Sequence, residues 1–132
     1  MSHHRETVTA ADAPAAVGPY VHAVQAGGLL FCSGQIPLDP ASGELVGDTP
    51  GEQAARCLEN LRIVCAAGGA TLADAVKVTV YLTDMAHFAE VNDVYAEAFA
   101  GSEPPARVAI AVSALPKGAQ VEMDAVVASP RG

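Results

Sequence analysis

Positive charge is scarce in this sequence. Seven Lys and Arg stand against fifteen Asp and Glu, a formal charge of −8, and both nucleic acid and anionic lipid are gripped by clustered bases. Aromatic residues are also scarce at 5%, which removes the stacking platforms of RNA-binding surfaces. Neither nucleic acid nor a membrane is therefore expected as a partner. Cys32, Cys57 and Cys65 are odd in number and lack CxxC spacing, so they read as buried thiols in a reducing compartment. His22 and His87 have no companions at metal-ligand spacing, and no metal is expected. No stretch approaches the roughly 18 to 20 apolar residues of a membrane span, and no apolar signal segment opens the chain, so a cytoplasmic location is expected. GxSxG, P-loop and dinucleotide motifs are all missing.

What is present is a core. Half of the 132 residues are apolar, at 51%, with no polar low-complexity segment, which fits one compact domain over residues 1–132 behind a flexible leader of residues 1–6. His3 and His4 in that leader carry no assigned role. After a short strand through Val8, DAPAAVGPY reads as an extended, proline-punctuated loop ending at Tyr20. Val21 to Ala26 and Leu29 to Gln35 flank Gly27-Gly28 and read as a tight hairpin. IPLDPASGELV reads as an ordered loop with a brief strand at Glu44 to Val46. Thr49, Pro50 and Glu52 spell a helix start with a capping box. Ala54, Leu58, Leu61 and Cys65 continue the helix, and Gly68-Gly69 stops it. Ala75 to Leu82 is a strand with Val76, Val78, Val80 and Leu82 on one face. Asp84 caps a second helix through about Phe99, with Gly101 as its stop.

PPARVAIAVSALPKGAQVEMDAVVA, from Pro104 to Ala128, completes the pattern with two alternating strands. The parity of Val108, Ile110 and Val112 reads as core, which sends Arg107, Ala109 and Ala111 to the other face. Val121, Met123, Ala125 and Val127 read as core in the second strand, sending Glu122 and Asp124 the same way. Arg107 and Glu122 are thus expected on one face of one sheet. Two helices cover only one face, and the second face carries Leu29, Phe31, Ala109, Ala111 and Val126, so an oligomer that buries it is expected. On spacing alone, a structural ion pair of Arg107 with Glu122 or Asp124 is favoured over a bidentate carboxylate clamp beside a water-handling glutamate. Tyr20 reads as an interface aromatic or a hydroxyl donor. Ser33-Gly34 reads as a strand end or a close backbone approach, and Asn92 as a solvent or backbone partner.

GPY at Gly18 to Tyr20, CSGQIPLDPASGE from Cys32, VNDVYAEAF from Val91, PPAR ending at Arg107 and LPKGAQVEMDAV from Leu115 together resemble the RidA family, also called YjgF or reactive-intermediate deaminases. The resemblance spans nearly the whole chain. It implies an α+β, chorismate-mutase-like fold: a six-stranded mixed sheet with two helices on one face, assembled as a homotrimer with inter-subunit clefts. It further implies cofactor-free hydrolysis of 2-imino acids to 2-keto acids and ammonia. In that reading Arg107 holds the substrate carboxylate, Glu122 handles the water, and Tyr20, Ser33, Gly34 and Asn92 line the pocket; the proximity of Arg107 is expected to favour ionised Glu122. Ala109 stands where many relatives carry cysteine, and the FAGSEPPAR connection is shorter than in typical members. A small-carboxylate-binding protein without turnover, and an endoribonuclease, are the competing readings.

Overall fold

The structure, a computed structural model, describes residues 4–129. The first three residues of the expected leader lie outside that range, and Glu6 already begins a strand. Eight elements carry the fold: β1 (Glu6–Val8), β2 (Ala23–Ala26), β3 (Leu29–Gln35), α1 (Pro50–Ala67), β4 (Ala75–Leu82), α2 (Phe88–Ala98), β5 (Ala106–Ala111) and β6 (Val121–Ala128). The strands form one six-stranded sheet in the order β1-β2-β3-β6-β4-β5, in which only β4 and β5 run parallel. The mixed sheet with two helices on one face is the architecture that the sequence implies.

Local chemistry explains the elements. Gly27 and Gly28 close the β2–β3 hairpin with φ of +58° and +79°, the left-handed pair that matches strand twist and that glycine adopts without a Cβ penalty. Thr49 Oγ1 accepts from Glu52 N at 3.1 Å while Glu52 Oε1 accepts from Thr49 N at 3.1 Å. This capping box satisfies donors that the first turn of α1 leaves open. Asp84 caps a short 3-10 turn, Met85–His87, and α2 proper starts at Phe88. The two helices are tied at their starts, where Gly51 N donates to Glu90 Oε2 at 2.7 Å.

The core lies between helices and sheet. Leu58, Leu61 and Val64 of α1 meet Leu30, Val78, Leu82, Met123 and Val127 of the strands, all buried. Cys32, Cys57 and Cys65 are buried free thiols in this layer. Val76 departs from the expected core row. The β4–β6 register slips between Ala75 and Lys77, so Val76 falls in the irregularity and stands 48% exposed. Among the described residues no helix is long and apolar enough to cross a membrane.

Candidate functional site

Arg107 is not on the face where its strand parity puts it. In a ladder, directly paired residues project to the same side, and Arg107, Ala109 and Ala111 pair with Val78, Val80 and Leu82, whose side chains are buried beneath the helices. Arg107 therefore stands on the helix side, while Val108 and Ile110 face away, 38% and 42% exposed. The sequence expectation fails because β5 is an edge strand apolar on both faces, and alternation alone does not say which face meets the helices.

The guanidinium rests against α2. Its Cζ lies 4.9 Å from the Tyr95 ring centroid and 5.4 Å from that of Phe88, and Nη1 donates to Asn92 Oδ1 at 2.6 Å. Phe88, Asn92 and Tyr95 follow the i, i+4, i+7 rule, so one stripe of the helix supplies both ring faces and the acceptor. Arg107 takes part in neither of the ion pairs found among the described residues, so within one chain it pairs with neither Glu122 nor Asp124. The remaining guanidinium donors border a cleft of about 540 Å³ lined also by Asn92, Tyr95, Phe99, Pro104 and Pro105. Tyr95 is buried and its hydroxyl has no hydrogen-bond partner among the described residues. Burial pushes its phenol above the usual range, against the pull of the Arg107 charge.

Glu122 occupies the opposite face. It pairs directly with Tyr81 on β4, alternating with Val121 and Met123, which are buried under the helices. Arg107 and Glu122 thus lie on opposite sides of the sheet, contrary to expectation. The β3–β6 register shifts between Cys32 and Gln35, which brings the Gly34 backbone against Glu122: a Cβ there would sit 2.1 Å from Glu122 Oε2. A side chain at this position would push that carboxylate aside. Tyr20, Gly34, Ile36, Leu38, Lys117 and Glu122 line a second cavity of about 300 Å³. Ser33 neighbours it, but its hydroxyl donates to Val21 O at 2.6 Å.

Buried polar side chains hold the rim of this cavity. Asn60 of α1, fully buried, donates to Ile36 O and Leu38 O at 3.2 and 3.0 Å while accepting from Arg56 Nε and Nη2 at 3.0 and 2.7 Å. The His22 ring accepts from Ala10 N at 3.0 Å and donates through Nε2 to Pro14 O at 2.8 Å, which fixes the loop leading to Tyr20. Burial raises the Glu122 carboxyl above the usual carboxylate range, and the nearby Asp124 charge adds to the rise. Within one chain Arg107, on the other side of the sheet, is not among the groups that act on it.

The six sequence-derived residues therefore fall into two groups, Asn92 with Arg107 and Tyr20, Ser33 and Gly34 with Glu122. Sequence reasoning missed Tyr95 as a seat for the guanidinium, although its spacing from Phe88 and Asn92 carries that signal. It also missed Asn60, which nothing in the local pattern distinguishes from a surface asparagine.

Comparison with known proteins covers the same ground. The family described as Endoribonuclease L-PSP matches residues 10–129. The RutC family protein y4sK of Sinorhizobium fredii is 49% identical over 92% of this chain and 96% of its own. The 2-iminobutanoate/2-iminopropanoate deaminase of Mus musculus is 44% identical over 92% of this chain and 90% of its own. Among solved structures, YyfA of Yersinia pestis, a protein of the conserved Rid family, superposes with a TM-score of 0.91 at 38% identity, covering 95% of this chain and 99% of that one.

Proposed function

Since the chain belongs to the RidA/YjgF family, we propose that it hydrolyses small 2-imino acids such as 2-iminobutanoate and 2-iminopropanoate to 2-keto acids and ammonia. The observation that carries this reading is the Arg107 guanidinium, seated on Tyr95 and Phe88, fixed by Asn92 and open to a cleft. A planar fork held in this way is prepared to take a carboxylate through two parallel N–H donors. The relative from Mus musculus, 44% identical, carries the name of this activity.

Glu122 supplies the other half of the chemistry. A protonated imine is already electrophilic at C2, and a carboxylate that directs one water to it and moves one proton is worth about 10²- to 10⁴-fold. Arg107 and Glu122 lie on opposite faces of the sheet, so a substrate of four carbons meets both only when a second copy of the chain brings its own Glu122 to this Arg107. The half-exposed Phe31, Val108 and Ile110 on the open face supply apolar surface for such an assembly, the expected homotrimer.

The test generates the imine in place with an amino-acid oxidase and follows keto-acid release. Wild-type protein is expected to accelerate release, Arg107→Ala to abolish the acceleration and Glu122→Gln to slow it. Release at the uncatalysed rate, combined with thermal stabilisation by 2-ketobutanoate, makes the protein a carboxylate-binding module and rejects the enzyme.

A further inference from the structure

Asp124 follows Glu122 by two residues on the same face of β6, roughly 7 Å along the strand. Tyr81 pairs directly with Glu122 in register, yet its hydroxyl donates to Asp124 Oδ2 at 2.8 Å. The phenol thus reaches diagonally past its direct partner. Among the described residues the Glu122 carboxylate accepts no hydrogen bond and forms no ion pair. Within one chain the groups around it are few, and the proposed assembly adds the Arg107 guanidinium of a second copy. Asp124 comes from β6, Tyr81 from β4, Lys117 from the turn before β6, Tyr20 from the N-terminal loop, and the Cys57 thiol from α1 behind the sheet. Lys117 turns its Nζ to Gly43 O at 3.2 Å, and β3 offers only the Gly34 backbone.

We propose that Tyr81 and Asp124 are a positioning pair that sets the protonation of Glu122 during turnover. The proposal rests on the imine-hydrolysis reading. In that reaction a water oxygen bonds to C2 as the C=N π electrons move to nitrogen, and Glu122 takes one water proton. It then returns that proton to the amine of the carbinolamine. The C–N bond breaks as the carbinol oxygen forms the carbonyl, and its hydroxyl proton leaves with ammonia as ammonium. A group that must take a proton and give it back within one turnover works best when its proton affinity lies near the working pH. An aspartate charge beside Glu122, its carboxylate held in place by the Tyr81 hydroxyl, raises that affinity. The phenol is in turn pushed up to about 12 by its bond to Asp124, so it stays a donor. Burial and the Asp124 charge act on Glu122 in the same direction.

The experiment compares wild type, Asp124→Asn, Asp124→Glu and Tyr81→Phe by two measurements: the pH profile of kcat/KM with the oxidase in excess, and the carboxyl ¹³C titration of Glu122 in the unliganded protein. In Asp124→Asn the acid limb and the titration are expected to move down by about one pH unit. Tyr81→Phe is expected to move both the same way by less, and Asp124→Glu to restore the wild-type position. A Glu122 titration unchanged in Asp124→Asn, or in Tyr81→Phe should the asparagine variant fail to fold, overturns the proposal. Absence of turnover in wild type overturns imine hydrolysis, and with it the catalytic use of the pair, whereas an unchanged titration in an active enzyme overturns the pair alone.

Discussion

At the level of single residues, Glu122 shows what a reactive group costs its fold. Its folded carboxyl titrates higher than in the unfolded chain because burial and Asp124 disfavour the anion. The sign follows from linkage: the protonated acid is the form the fold prefers, so stability from this group is full below the ordinary value of 4.5 and is lost as pH rises through the raised folded value. Glu122→Gln, which has no charge to bury, is therefore expected to be more stable than wild type in urea at pH 7, with the difference gone at pH 4. A variant that loses activity and gains stability is the signature of a group kept for chemistry. Of the residues concerned, Glu122 was legible from period-two alternation and Gly34 from its place in a strand. The side of Arg107 was not. Its neighbours are alanine, valine and isoleucine, apolar on both parities, and the deciding fact is which row β5 lays beside Val78 and Val80.

Elements show a second kind of legibility. Where a segment carries its own instructions, as with Gly27-Gly28 between strands or Thr49-Pro50-Gly51-Glu52 before α1, the sequence predicts the structure to within a residue or two. Where one element is shaped by another, it does not. Val76 leaves the core because β4 slips against β6, and the segment from Ile36 to Leu38 takes its course from a helix that begins more than ten residues later. Asn60 is the fastening. Asn60→Ala leaves two loop carbonyls without their donor and the Arg56 head without its acceptor, at about 1 to 3 kcal/mol. Faster amide exchange between residues 36 and 46, with α1 itself unchanged in circular dichroism, is the expected readout. Unchanged exchange there refutes the fastening role.

For the whole molecule, the two faces of the sheet divide the labour. The side under the helices presents Arg107 and the open side presents Glu122, so assembly and catalysis are coupled in the proposed function. Arg107→Ala chains, inactive alone, and Glu122→Gln chains, slowed alone, are expected to show more activity refolded together than the sum of the two, because roughly one quarter of the interfaces then pair an intact Arg107 with an intact Glu122. No such gain in mixtures proven to exchange subunits rejects the shared site. Alternation and helix count in the sequence were enough to expect an oligomer across the open face, because too few elements exist to cover it. They did not reveal that the arginine belongs to the other side.

The strand order carries a consequence for synthesis. β6 lies between β3 and β4 in the sheet, yet it is the last strand to leave the ribosome. Until it emerges, the hairpin of β2 and β3 and the β4–α2–β5 unit have no strand to join them, and each holds an unpaired edge that another nascent chain can meet. Until Val121 to Ala128 are free to pair, the polypeptide is exposed to aggregation, and a substitution at the buried Val121, Met123 or Val127 costs yield of folded protein as well as melting temperature.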